Sequence, residues 1–172
     1  MEAAPFLSFC VPTRNRAECL RELLESIAAQ ATPEIEVVIS DDASPDQTAE
    51  VVAAFENRLG SLDYQRHDPA LRYDRNVLSV VAQARGKFCW LFGDDDRLEP
   101  GGLDAVLQAL KRDTGLTGLT TGRISFDCTL TERLPFRLFK QQTNRTFNDA
   151  ASAIRSLLDR LGFLSCQVIN RE

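Results

Sequence analysis

The sequence predicts an α/β domain: a mostly parallel sheet with helices on both faces. Three observations predict it. Runs rich in β-branched and aromatic residues alternate with apolar stripes of helical period through residue 112, the pattern of β-α-β units. Three of those runs end in polar clusters, "TRNR" (13–16), "DDAS" (41–44) and "GDDD" (93–96). The carboxyl ends of parallel strands share one edge, so these clusters should meet there. Finally, 172 residues, 44% hydrophobic and 26% charged, suffice for one domain with a sizeable core.

The elements follow in order. "FLSFCVP" (6–12) is a short apolar run and reads as a buried strand. Asn15 followed by Glu18 has the spacing of a capping box. Leu20, Leu23, Leu24 and Ile27 then mark one helix face. "IEVVIS" (35–40) is a β-branched strand, and "DDASPDQT" (41–48) is turn chemistry with Asp46 as a helix cap. Val51, Val52, Phe55 and Leu59 make the next stripe, which Gly60 can close. "LDYQRH" (62–67) is a third strand, and Val77, Val80, Val81 and Ala84 mark a third helix ending at Gly86. "KFCWLFG" (87–93) is the most apolar strand. Pro100 suits a first helical turn, with Leu103, Val106, Leu107 and Leu110 buried behind it. "GLTTGRISF" (118–126) is a fifth strand, interrupted by Gly122, and 127–146 is a long loop. Ile154, Leu157, Leu158 and Leu161 make a last helix, and "FLSCQVIN" (163–170) a last strand.

Charge and cysteine content exclude several functions. A net charge of −5 argues against a nucleic-acid or anionic-membrane binder, though not against a local cationic pocket for phosphate. No apolar run approaches the ~20 residues that span a bilayer, and "MEAAPFLSF" lacks the basic start of a signal peptide. Five cysteines without a C-x-x-C pair, and one histidine, give no legible zinc site. Reduced thiols and a cytoplasmic protein are the expectation. Cys10 and Cys89 should pack as small hydrophobes. No G-x-G-x-x-G follows the first strand, and Gly86-Lys87 lacks the rest of a P-loop.

Three consecutive carboxylates, Asp94, Asp95 and Asp96, repel one another unless something offsets their charge. A solvated acidic loop is the ordinary explanation. The position weakens it, because a second aspartate pair, Asp41 and Asp42, ends another strand. Oxygen ligands suit Mg²⁺ or Mn²⁺, which keep waters and take phosphate oxygens as well. A divalent ion bridging the chain to a diphosphate is the sharper reading. Arg14 and Arg16 are either exposed at a helix start, or Arg14 and the helix amides lie beside an anion. His67 reads as an ordinary strand-end residue.

Three stretches in this order, "LSFCVPTRNRAECLRELLESI" (7–27), "EVVISDDASPDQTAEVV" (36–52) and "RNVLSVVAQARGKFCWLFGDDDRLEPGGL" (75–103), resemble the nucleotide-binding half of inverting family-2 glycosyltransferases with the GT-A (Rossmann-like) fold. "FLSCQVINRE" is similar to the sheet segment such enzymes carry ahead of their acceptor half, most like abequosyltransferase-type transferases of bacterial surface polysaccharides. The resemblance implies one domain over 1–172, with 6–112 binding a nucleotide-diphosphate sugar and 113–172 beginning an incomplete acceptor half. Pro12 and Arg14 would line the base pocket, and Asp42 would bond the base. Asp41 would join the donor site or orient its loop. Arg75 and Asn76 would brace the donor pocket. Asp94 would meet the ribose, and Asp95 and Asp96 would serve the metal of a DXD-type motif. Gly93 stands where relatives carry an aspartate, so Asp94 and Asp96 could exchange roles. The implied reaction is metal-dependent transfer, with inversion, to a glycan or lipid-linked acceptor, at the inner face of the membrane.

The family's base is a carboxylate on a later segment. Asp104, Asp113, Asp127, Glu132, Asp149, Asp159 and Glu172 are the candidates, and none sits in a recognisable base motif. The expectation is therefore a fragment or a short chain that binds donor but turns over slowly. It would leave a sheet edge open to self-association. The alternatives are a non-catalytic nucleotide-binding module acting with a partner, and a structural α/β domain with an accidental acidic edge.

Overall fold

The computed structural model describes residues 4–126, 132, 145–161 and 164–171. The order is β1 (Leu7–Thr13), α1 (Ala17–Ala28), β2 (Ile35–Asp41), α2 (Thr48–Ala53), β3 (Leu62–Arg66), α3 (Tyr73–Gln83), β4 (Phe88–Leu91), α4 (Gly102–Arg112), β5 (Gly118–Thr120), α5 (Ala150–Leu161), a 3-10 turn (Leu164–Cys166) and β6 (Gln167–Asn170). The six strands form one sheet in the order β3-β2-β1-β4-β6-β5. β1 to β4 run parallel, and β6 pairs antiparallel with both β4 and β5.

Alternate residues of β1 enter different layers, as a strand buried on both faces requires. Leu7, Phe9 and Val11 join the large core with α1, α2 and α4. Cys10 joins a smaller cluster with Val80 and Ala84 of the α3 segment, together with Val38 and Cys89. Cys10, Cys89 and Cys166 are buried. Phe9 stacks on Trp90 at 5.1 Å between ring centres, which ties β1 to β4. Helices thus cover both faces, as the alternation predicts.

Some local expectations differ from the structure. The Asn15–Glu18 capping box is not made: Arg16 stands at the N-cap of α1 without a side-chain cap, and Asn15 has a φ of 55°. Asp46 instead receives the Ala17 N–H at 3.1 Å while bonding Thr48 N–H and Oγ1. One carboxylate therefore holds the starts of two helices. Pro100 lies ahead of α4, whose N-cap is Gly101 at a φ of +78°, a conformation that favours glycine. The side chains of Leu157, Leu158 and Leu161, and most of the 127–146 loop with Cys128, lie outside the described residues.

At the opposite edge from the polar clusters, Glu36 of β2 is 1% exposed. Its Oε1 accepts the Ser8 hydroxyl at 2.6 Å, Arg85 N–H at 2.6 Å and Gly86 N–H at 3.2 Å, and its Oε2 accepts Arg85 Nε at 2.8 Å. A Cβ at Gly86 would lie 2.5 Å from Ser8 Oγ, so only glycine fits this close approach. Burial pushes the Glu36 carboxyl up, but the Ser8 and Arg85 bonds outweigh it and hold it below its usual value. Glu36→Ala should cost about 3 kcal/mol, because it strands several buried donors. A depressed folded value stabilises above the unfolded pKa, about 4.3, and is lost as pH falls through the folded value. Thermal unfolding at neutral and acid pH should therefore show the gap between wild type and variant shrinking in acid.

Candidate functional site

β1 pairs with β4 only as far as Cys10↔Leu91, whereas its pairing with β2 runs on to Thr13↔Asp41. The strands part on the β4 side just where Pro12 lacks an N–H to give. The order β2-β1-β4 also makes this the point where the connections reverse direction, the usual place for a ligand crevice. Thr13, Arg14, Asp41, Asp42, Asp94 and Asp95 all gather at this edge. Thr13 Oγ1 donates to Asp94 Oδ2 at 2.8 Å, and Arg14 Nη1 to Asp42 Oδ2 at 3.2 Å. The expected convergence of the three polar clusters is present.

Asp41 is fully buried. Its carboxylate accepts Ser44 N–H at 2.9 Å and the Tyr64 hydroxyl at 2.7 Å. Burial and this charge push the Tyr64 phenol up. Asp41 thus orients the turn, in which Ala43 is held at a φ of 61°. It is not presented to the cleft as a donor ligand. Asp42 is 3% exposed, and its Oδ1 accepts the backbone N–H of both Leu71 (2.5 Å) and Arg72 (3.0 Å). Those bonds fold the β3–α3 loop over the cleft, with Arg72 at a φ of 71° and ψ of 162°. Such backbone is costly for a side-chain-bearing residue and persists where its surroundings hold it. A polar recess of about 520 Å³ lies along residues 70–75.

Asn76 is buried; its Nδ2 donates to Ser40 O at 2.9 Å and its Oδ1 accepts the Ser40 hydroxyl at 2.7 Å. It braces the end of β2 beside the aspartates. Arg75 is exposed at the recess. His67 Nε2 lies 2.8 Å from Ser40 Oγ, an ordinary strand-end contact.

The acidic triplet divides between two partners. Arg16 Nη1 lies 3.2 Å from Asp94 Oδ1 and 2.5 Å from Asp95 Oδ2. Asp94 and Asp95 together raise the Arg16 pKa. Burial pushes the Asp94 carboxyl up, against the bonds from Thr13 and Arg16. Asp96 instead accepts the Ser165 hydroxyl, and Ser165 Oγ accepts Gly93 N–H at 2.7 Å. The Ser165 carbonyl accepts Trp90 Nε1 at 2.9 Å, so the 3-10 turn is fastened to β4. A Cβ at Gly93 would lie 3.0 Å from Asp96 Oδ2 and 3.1 Å from Asp95 Oδ1, which crowds an aspartate at that position. The pair that shares one cationic group is therefore Asp94–Asp95, not Asp95–Asp96. Among the described residues no three His, Cys, Asp or Glu side chains converge on one point.

Of the base candidates, Asp104 accepts from Gln108 and Asp113 from Gly115 N–H. Asp149 caps α5 through Ser152 N–H, which holds its carboxyl below the usual range. Each is used locally. Asp127, the Asp159 side chain and Glu172 lie outside the described residues, and Glu132 is exposed. The sequence placed Thr13 at this edge without a partner, gave Arg16 no role and offered no sign of Ser165. Arg16 could have been read from its place in "TRNR", but nothing near Ser165 announces its partner 69 residues earlier.

Among known families, the model of Glycosyl transferase family 2 matches residues 8–161. The chain belongs to this family. It is similar to abequosyltransferase RfbV of Salmonella typhimurium (strain LT2), at 45% identity over 105 residues, covering 59% of this chain and 31% of that protein. It also matches the GalNAc(5)-diNAcBac-PP-undecaprenol beta-1,3-glucosyltransferase of Campylobacter jejuni, at 33% identity over 107 residues, covering 60% of this chain and 34% of that one. Among solved structures, S. aureus TarS 1–349 in complex with UDP-GlcNAc superposes with a TM-score of 0.78 at 23% identity, over 96% of this chain and 45% of that one. That likeness shows the GT-A fold. This family-2 chain spans about a third of the length of the two curated relatives named here. No helix among its described residues is long and apolar enough to cross a membrane.

Proposed function

We propose that this chain is the donor-binding part of a metal-dependent, inverting glycosyltransferase that uses a nucleotide-diphosphate sugar. The observation that carries the reading is the meeting of Asp94 and Asp95 on one guanidinium nitrogen, opposite Asp42 at the carboxyl edge of the sheet. A single positive centre serves both carboxylates, so the pair fits a divalent cation such as Mn²⁺ or Mg²⁺ that takes its remaining ligands from water and phosphate. Asp95, the more exposed of the two, would be its main ligand, with Asp94 next to it on the ribose side. The bound ion would supply positive charge against the leaving diphosphate.

Asp42 accepts an N–H of the base, with Pro12 and Arg14 along that pocket. Arg75, exposed at the recess, would brace the donor pocket. In the transfer, the acceptor hydroxyl oxygen bonds the anomeric carbon while the bond from that carbon to the diphosphate breaks, its electron pair leaving with the nucleotide. The hydroxyl proton goes to a carboxylate base. The Campylobacter jejuni relative is named for a PP-undecaprenol-linked glycan, which supports a glycan or lipid-linked acceptor; surface polysaccharide synthesis at the inner face of a membrane is the setting this proposal adds. Calorimetry with a panel of nucleoside diphosphates, with and without Mn²⁺, tests the reading. Binding should be measurable only with the metal; equal affinity in EDTA would refute the metal bridge.

A further inference from the structure

Arg16 does something the donor reading does not require. Its Nη1 bonds Asp94 and Asp95 at once, at 3.2 and 2.5 Å, while its side chain remains 48% exposed. It therefore lies where a cation between those carboxylates would compete with it, and it is free to swing into solvent. Its neighbour Arg14 is tied to Asp42 instead, and Asp96 to Ser165. Among the described residues no other cationic side chain pairs with Asp94 or Asp95, and two adjacent carboxylates with one partly buried favour a bound positive charge.

We infer that Arg16 is an internal counter-ion that holds the metal place of the empty protein and keeps affinity for a free divalent cation low. The ion then enters together with the diphosphate, whose negative charge gives the displaced guanidinium a new partner. Arg16 is thus a positioning residue that couples metal binding to nucleotide binding. The inference rests on the donor-and-metal reading above, but its test needs no nucleotide and no turnover.

The test is Mn²⁺ binding to the full chain, followed by loss of the free-ion signal in electron paramagnetic resonance. Arg16→Gln should bind Mn²⁺ about tenfold more tightly than wild type, since one positive charge beside the site has gone. Arg16→Lys keeps the charge and should stay within about twofold of wild type. The gain should vanish in Arg16→Gln combined with Asp95→Asn, which ties it to this site. The fold is safeguarded because the start of α1 is bonded through the Arg16 carbonyl and Asp46, which these changes leave in place. Equal Mn²⁺ affinity in wild type and Arg16→Gln overturns the inference, as does a gain that survives the loss of the Asp95 charge. Failure of nucleoside diphosphate to bind wild type with Mn²⁺ present would count against the donor reading instead, and the two results are read separately.

Discussion

Asp95→Ala is expected to abolish the metal dependence of nucleotide binding. The Asp95 side chain is 55% exposed and bonds the Arg16 guanidinium, so little of the fold depends on it. Its loss leaves Asp94 as the lone carboxylate beside Arg16, and one carboxylate holds a hydrated divalent ion weakly. Nucleoside diphosphate should then bind at least about tenfold more weakly with Mn²⁺ present, the equivalent of about 1.4 kcal/mol or more. Adding EDTA should change that residual affinity little. Thermal stability should stay within about 0.5 kcal/mol, as for other exposed substitutions. Asp104→Ala, which removes a carboxylate bonded within α4, serves as the control and should keep the full metal response. Unaltered metal dependence in Asp95→Ala would move the ion to another carboxylate.

Asp42→Ala should weaken nucleotide binding about tenfold or more and also destabilise the fold. Three donors lose their acceptor: the N–H groups of Leu71 and Arg72, and the Arg14 guanidinium. Leaving such groups unpaired costs about 1–3 kcal/mol each where they are buried. The β3–α3 loop would also lose what holds Arg72 in its unfavourable backbone geometry. Asp42→Asn separates the two effects. Its side-chain oxygen can still accept the loop amides, so stability should largely persist, while the affinity gained from accepting a base N–H falls. In wild type, uridine and thymidine diphosphates should bind ahead of adenosine diphosphate, because their N3–H suits a carboxylate and the base pocket proposed beside Pro12 would take a pyrimidine in preference to a bulkier purine. Competition calorimetry reads this order directly, and tighter binding of adenosine diphosphate would reassign Asp42.

Much of this site was legible in the residues themselves. The Asp-rich ends of β2 and β4 could be placed at one edge because parallel strands joined by helices put all their carboxyl ends on the same side. The family resemblance implied Asn76 only as a brace of the donor pocket; that it braces the end of β2 through Ser40 is seen in the structure. Which carboxylate does what was not legible. Asp41 and Asp42 are neighbours of the same chemistry, yet one is enclosed by Ser44 and Tyr64 while the other faces Arg14 and the 71–72 amides. Adjacent residues at a strand end point in opposite directions, and the partners that await each come from different elements.

The sequence by itself determined the layered α/β architecture, the family, and the edge where the chemistry sits. Those rest on local period and on strand-end composition, which a linear chain carries openly. Tertiary structure alone decided that β6 returns antiparallel between β4 and β5, that Ser165 takes Asp96, and that Arg16 bridges Asp94 and Asp95. The Ser165 and Arg16 contacts join residues 69 to 79 positions apart. Their geometry is set by how the sheet brings distant segments together, and no short-range pattern encodes it.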